Sequence, residues 1–355
     1  MVASAARRRA PFSGLRPLDA GRDLAAVADL IAEAFQDDMD PAGERAIRDI
    51  RAMGRWALWF GWMDRFAPPG EGMAPGFVWV EDDRIVGNVS VRRGGPLRRG
   101  WMIGNVAVAR EWRRRGIARA LMQAAIELAR RHHGDWVALQ VRSDGTAPRL
   151  LYESLGFAVL GETIHYRRTR PPALVAEALT QTLSGAKGKG KGQRRGAPVA
   201  QPGSLGEDRV RRGTARDGER IYRLAQAAIP EELRWAEPLR RDDFLMGLDR
   251  DFANWLSRRR EAWWVIESEA EMLGAAHIVM PPPPHEGRLW IGVIPSHQGR
   301  YEDHLVHAAL SSIESVARRA IFASVPAAHA AARAALEAAG FEAHRRLTHM
   351  RLKLR

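Results

Sequence analysis

The spacing of apolar positions divides this chain into strands and helices, and one junction between them is the most informative stretch. Residues 101–116 read WMIGNVAVAREWRRRG: an apolar run with Ile103, Val106 and Val108, a charged turn, then three arginines and a glycine. Beyond it Ile117, Ala120, Leu121, Ala124, Ala125 and Leu128 recur at the spacing of a single helix face. The pattern predicts strand, loop and helix start.

Taken in order, residues 15–18 read as a short strand, and Asp19 precedes an apolar-periodic helix that ends near Phe35. An acidic turn with Asp37, Asp38 and Asp40 leads to a second helical region, which carries Trp56, Trp59 and Trp62 and ends near Phe66. Residues 76–81 and 84–92 alternate as two strands joined by Asp82 and Asp83, a hairpin pattern. The loop that follows has Arg92, Arg93, Arg98 and Arg99, and no acid occurs between Asp83 and Glu111. WVALQVR at 136–142 is a strand. Thr146 is placed to cap a helix that tolerates Pro148 in its first turn and stops at Gly156, and 157–167 forms a last strand. Strand, two helices, three strands, helix, strand, helix, strand is a mixed α/β order.

The second half repeats the first. Trp264 stands as far before Val293 as Trp79 before Val108, and Met272, Leu273 and Gly274 resume a hairpin as Ile85, Val86 and Gly87 do. The stretch from Val293 to Gly340 is one residue shorter than that from Val108 to Gly156, and each ends in Gly-Phe. Shared spacing of this kind indicates a tandem duplication. Between the copies the composition changes to GAKGKGKGQRRGAPVAQPGS, with no acid between Glu177 and Glu207 and little that could enter a core. The expected limits are a disordered tail at 1–12, a first domain at 13–170, a flexible basic linker at 171–207 and a second domain at 208–355.

At 355 residues with 46% hydrophobic content, the chain suits two moderate domains, and no apolar run is long enough to cross a bilayer. Cysteine is absent, which excludes disulfides, cysteine nucleophiles and thiolate metal sites. The 11 histidines show no metal-binding spacing such as HExxH, so no metal is expected. With no secretory signal after Arg7, Arg8 and Arg9, a cytoplasmic location is expected. A net charge of +13 and a pI near 11.0 point to an anionic partner. Nucleic acid stays open as an alternative on that charge but is not favoured; no membrane partner is expected.

The start of the helix after residue 116 supplies the specific chemistry. Its first N–H groups have no intrahelical acceptor, its dipole adds positive charge, and Gly116 allows close approach, so the junction suits a phosphate. The run Arg113, Arg114, Arg115, Gly116, Ile117, Ala118, soon after Val106, Ala107 and Val108, resembles the pyrophosphate loop of the GNAT superfamily of acyl-CoA N-acyltransferases, with Arg113, Gly116 and Ala118 at the defining positions. The resemblance covers residues 15–168. Together with the internal repeat it implies two tandem domains, each a mixed, mostly antiparallel sheet flanked by helices, and by itself it implies acetyl-CoA or another acyl-CoA as co-substrate. On this reading Val106, Ala107, Val108, Arg113, Arg114, Arg115, Gly116, Ile117, Ala118 and Arg119 bind it, the backbone of 105–108 pairs with the pantetheine arm, and Tyr152 is the general acid.

The implied reaction is direct transfer of an acyl group to a primary amine of unknown identity, with no cysteine to carry the acyl group in between. The base is unassigned, with no Glu or Asp on the strand 101–108: Asp37, Asp38 and Asp40, or Glu81 and Asp82, could bind a cationic acceptor or relay its proton. In the second copy Tyr301 falls opposite Gly116, Glu302 and Asp303 bring negative charge to the loop, and Leu336 replaces Tyr152. That copy is expected to be degenerate. The alternative is a non-catalytic module that binds coenzyme A or nucleic acid. Oligomeric state is not legible.

Overall fold

In the computed structural model the described residues are 12–36, 43–44, 47–52, 76–94, 99–169, 209–235, 239, 241–247, 254, 256–268, 271–283, 285–313 and 319–355. The acidic turn at 37–41, the part of the second helical region that carries Trp56, Trp59 and Trp62, the tip of the basic loop at 95–98 and the linker lie outside them, whereas residues 43–44 and 47–52 of that region are helical.

The first unit contains residues 1–141, 145–159 and 350–355. Strands β1 (Gly14–Pro17), β2 (Gly76–Glu81), β3 (Arg84–Gly94) and β4 (Gly100–Val108) pair antiparallel in that order, and β5 (Trp136–Arg142) runs parallel to β4. Asp82 and Asp83, both with left-handed φ (48° and 62°), form the two-residue turn between β2 and β3. Such a turn matches the twist of its strands. Helix α1 (Ala20–Ala34) begins at Asp19, whose carboxylate accepts the N–H groups of Gly21 and Arg22 at 3.0 and 3.3 Å. It packs Val27, Ala28 and Ile31 against Val78 and Val80.

Helix α2 (Ile117–Arg131) covers the other face and lies so close at Gly87 that a Cβ there would stand 2.9 Å from Ile117. Glycine in the middle of β3 is what lets the helix start press on the sheet. Helix α3 (Thr146–Ser154) departs from the expected cap. Gly145 is the capping residue and makes no side-chain bond, while Thr146 is already helical. The helix ends before Gly156, whose φ of 89° suits glycine.

The second unit contains residues 142–144 and 160–349. Strands β7 (Arg209–Arg212), β8 (Arg260–Ser268), β9 (Glu271–Met280) and β10 (Gly287–Val293) pair antiparallel, β11 (Ile321–Pro326) runs parallel to β10, and β6 (Ala158–Arg168) lies antiparallel to β11. Helices α4 (Gly218–Ala228), α5 (Glu302–Ser311) and α6 (Ala330–Ala338) complete it. The repeat is visible in register: Gly87 opposes Val108, and Gly274 opposes Val293.

The final strands are exchanged relative to sequence order. Most of β6, which follows the first Gly-Phe, belongs to the second unit, where Ile164 and Tyr166 enter the core beside Ile321 and Val325. The last residues of β12 (Glu342–Lys353) belong to the first unit; Met350 joins its core, and the Leu354 N–H donates to the Asp135 carbonyl at 2.9 Å. The compact units therefore depart from the limits 13–170 and 208–355. A duplicated chain owns two equivalent closing strands, and either can fill either slot, as in domain swapping.

Within the second unit β12 is held by His349, whose Nε2 lies 2.7 Å from the Thr163 hydroxyl and whose ring meets Trp235 edge-on. Burial pushes its pKa down to about 4, against a smaller opposing effect of Glu162. The folded chain thus binds this proton less readily than the unfolded chain, whose histidine titrates near 6.5. Stability from this residue is complete above about pH 6.5 and falls as pH drops toward 4. Unfolding free energies from denaturant titrations at pH 7 and 5 should differ less in His349→Gln than in the parent, by roughly 1–2 kcal/mol. An unchanged difference would remove His349 from the acid response.

Candidate active site

The site is built on the carboxy-terminal half of β4. Strand β4 pairs with β5 only from Gly100 to Ile103, so beyond Ile103 its β5-facing edge leaves the ladder. At the same place its register with β3 shifts: Asn88 opposes Ala107 and Ser90 opposes Gly104, leaving Asn105 and Val106 opposite the single Val89. This is a β-bulge, with Asn105 at φ 52°. Asn88 is fully buried, and its Nδ2 donates to the Asn105 carbonyl at 2.9 Å; Asn105 Nδ2 reaches the Ser90 hydroxyl at 3.3 Å. Gly104 faces open space. Val106 and Val108 are half-buried and Ala107 is buried.

A one-turn 3₁₀ segment, Arg110–Trp112, then carries the chain into the arginine-rich loop. Gly116 is the capping residue of α2 with φ 83°, and a Cβ placed there would meet nothing within 4 Å. The first amide bonded inside the helix is that of Ala120, to the Gly116 carbonyl, so the N–H groups of Ile117, Ala118 and Arg119 have no intrahelical acceptor.

The arginines divide their work. Arg113 Nε donates back to the Val108 carbonyl at 3.1 Å, and Arg115 stacks on Trp112 at 4.5 Å while donating to the Glu111 carbonyl. Arg119 donates to the Ser154 hydroxyl at 2.7 Å, tying the start of α2 to the end of α3. Arg114 and its neighbours Arg113, Arg115 and Gly116 are exposed, and Ala118 is half-buried. Ile117 is buried in the core against Gly87, which makes it a packing residue. Two carbonyls of the 105–108 segment, Asn105 and Val108, already accept side-chain hydrogen bonds.

Tyr152 sits on α3 in the same apolar cluster as Ile117 and Leu121, with its ring 6.1 Å from that of Phe157. It is 7% exposed, and its hydroxyl has no partner among the described residues. Burial pushes its pKa up to about 12. At neutral pH it is a neutral hydrogen-bond donor.

The corresponding loop of the second unit is closed by its own side chain. Tyr301 replaces Gly116 as the capping residue of α5, with φ −126°, and is buried. Glu302 folds back so that its carboxylate accepts the Gly299 N–H at 2.9 and 3.0 Å and the Tyr301 N–H at 3.2 Å, and it meets His329 Nε2 at 2.7 Å. Burial pushes the Glu302 carboxyl up, but the His329 and amide hydrogen bonds outweigh it and hold its pKa below the ordinary range. Leu336, at the Tyr152 position, is fully buried.

Of the candidate acceptor-binding carboxylates, Glu81 accepts the Trp79 indole N–H at 2.7 Å and Asp82 belongs to the hairpin turn. Asp37, Asp38 and Asp40 lie outside the described residues. Among the described residues no group of three or more metal-binding side chains is present, and no helix is long and apolar enough to cross a membrane. Asn88 was not identified from sequence as a site residue. The available signal was an amide in the middle of an otherwise apolar strand, IVGNVSV.

Comparison with known proteins bears on both units. The model of the Acetyltransferase (GNAT) family matches residues 30–157 and again 228–341. N-alpha-acetyltransferase 30 of Schizosaccharomyces pombe is 35% identical over 85 residues, which are 23% of this chain and 55% of that protein, so the match spans about half the length of this relative. A GCN5-related N-acetyltransferase from Sphaerobacter thermophilus has a TM-score of 0.59 at 17% identity, with 96% of each chain covered. A tandem GNAT protein from the clavulanic acid biosynthesis pathway has a TM-score of 0.52 at 18% identity over 96% of this chain and 98% of that one. At these identities the two structures speak for the fold alone. The twofold family match, set on two units with a common strand register, makes this chain a member of the GNAT acetyltransferase family with the domain present in tandem.

Proposed function

We propose that the first unit transfers an acyl group, most simply acetyl, from acetyl-CoA to a primary amine, and that the second unit does not bind this substrate. The carrying observation is the contrast between two equivalent helix starts. One has an open, glycine-capped turn with uncommitted amides; the other has the same turn filled by the Glu302 carboxylate. A carboxylate that accepts the amides of the loop leading into a helix does what a phosphate oxygen would do there.

Acetyl-CoA supplies the activated acyl thioester and an anionic diphosphate. The amides of residues 117–119, with the exposed arginines around them, suit the diphosphate. The unpaired β4 edge after Ile103 suits a pantetheine arm laid alongside as an added strand, and an N–H of the bulge suits the oxygen on which negative charge develops. In the transfer a C–N bond forms, the C–S bond breaks, the amine gives up a proton and the sulfur acquires one. The Tyr152 hydroxyl serves the sulfur as hydrogen-bond donor. A phenol at about 12 is a weaker acid than a thiol near 8.5, so Tyr152 acts first by stabilising charge on sulfur.

Calorimetry with acetyl-CoA, followed by thiol release with an amine panel that begins with peptide α-amines, tests the reading. Micromolar binding is expected. Tyr152→Phe should lower kcat about a hundredfold with binding changed less than about threefold. Gly116→Glu should weaken binding by at least about a hundredfold, whereas Gly116→Ala, which has the same left-handed strain without the charge, should lose far less. No binding by the parent chain would refute the proposal. Binding without thiol release from any amine would favour a binding module.

The second unit gives an independent test. Glu302→Ala strands the Gly299 and Tyr301 amides and His329, and should cost about 3 kcal/mol in denaturant unfolding. Inorganic phosphate should then raise the melting temperature of the variant more than that of the parent. Equal responses would mean that Glu302 does not occupy an anion position.

A further inference from the structure

We infer that Asn88 is a positioning residue for the acyl-transfer site: its buried amide grips the Asn105 carbonyl and thereby holds the β4 bulge against which the thioester end of the substrate lies. The inference rests on the acyl-CoA reading above and adds a residue to it. Asn88 shares a face with its cross-strand partner Val78, the face covered by α1, so its side chain lies away from α2 and the diphosphate loop. From there Nδ2 makes its 2.9 Å bond to the one residue of β4 that is held at positive φ.

The second repeat supplies the internal control. By the register that matches Gly87 with Gly274 and Val108 with Val293, Asn88 corresponds to Ala275 and Asn105 to Trp290. There the β9–β10 ladder runs from Arg288 to Val293 without a shift, so the bulge is missing. The parting of strands is not: β10 pairs with β11 only from Gly287 to Leu289, as β4 does with β5 from Gly100 to Ile103. Parting therefore belongs to both copies, and the bulge with its asparagine only to the copy whose phosphate loop is open.

The cost of this asparagine points the same way. Asn88 Oδ1 is buried and accepts no hydrogen bond among the described residues. A half-satisfied buried amide is less stable than the alanine that fills the same place in the second repeat. Its remaining bond holds the Asn105 carbonyl, and with it the direction of the neighbouring amides that face the parted edge.

The test uses the full-length chain and two ligands: acetyl-CoA, and adenosine 3′-phosphate 5′-diphosphate, which engages the loop but has no pantetheine arm. Asn88→Ala should weaken acetyl-CoA about tenfold, the loss of one hydrogen bond, and leave the nucleotide within about twofold. Asn88→Asp keeps the shape. Its protonated form can donate to the Asn105 carbonyl and its ionised form cannot, so its acetyl-CoA affinity should approach that of the parent in acid and fall as pH rises, beyond any slope of the parent. The inference is overturned if both variants bind acetyl-CoA like the parent, if both ligands weaken in equal proportion, or if Asn88→Asp follows the pH profile of the parent. Should the parent bind neither ligand, the acyl-CoA reading itself fails and takes this inference with it.

Discussion

The start of a helix presents amide N–H groups that nothing in the helix can accept, and in this chain that constraint arises twice after a strand and a one-turn 3₁₀ segment. At Ile117 the turn is kept open by a glycine in left-handed conformation, and the side chains that could have folded inward point elsewhere: Arg113 to a carbonyl, Arg115 to an indole, Arg119 to a serine. At Glu302 the first helical side chain curls back and satisfies the loop amides itself, with His329 beneath it. The two solutions are alternatives. In the second unit the Gly299 and Tyr301 amides already hold a buried carboxylate, so these two donors are committed inside the fold.

Duplication explains why the rest of the molecule tolerates such divergence. Each unit rests on the same strand register and the same close approach of helix to sheet, with Gly87 and Gly274 admitting the helices. The proposed function rests on departures from that frame: a bulge in β4 that β10 lacks, an asparagine where the other copy has alanine, a tyrosine where the other has leucine. The exchange of closing strands follows from the same history. Strands β6 and β12 both come directly after a Gly-Phe pair, so each carries the pattern required by the slot of the other.

Periodicity and spacing in the sequence by themselves determined the strands and helices, the duplication, the glycine at the helix start, and the tyrosine and two acids that stand at that place in the second copy. These are local properties, set by side-chain pattern and backbone preference over a few residues. Tertiary structure alone decided which closing strand serves which unit, that Glu302 turns inward rather than merely repelling an anion, that Ile117 packs rather than lines the loop, and that Asn88 meets Asn105. Each depends on residues far apart in the chain being brought within a few ångströms, and a hydrogen bond or an exchanged strand has no signature until the sheet that brings its ends together has formed.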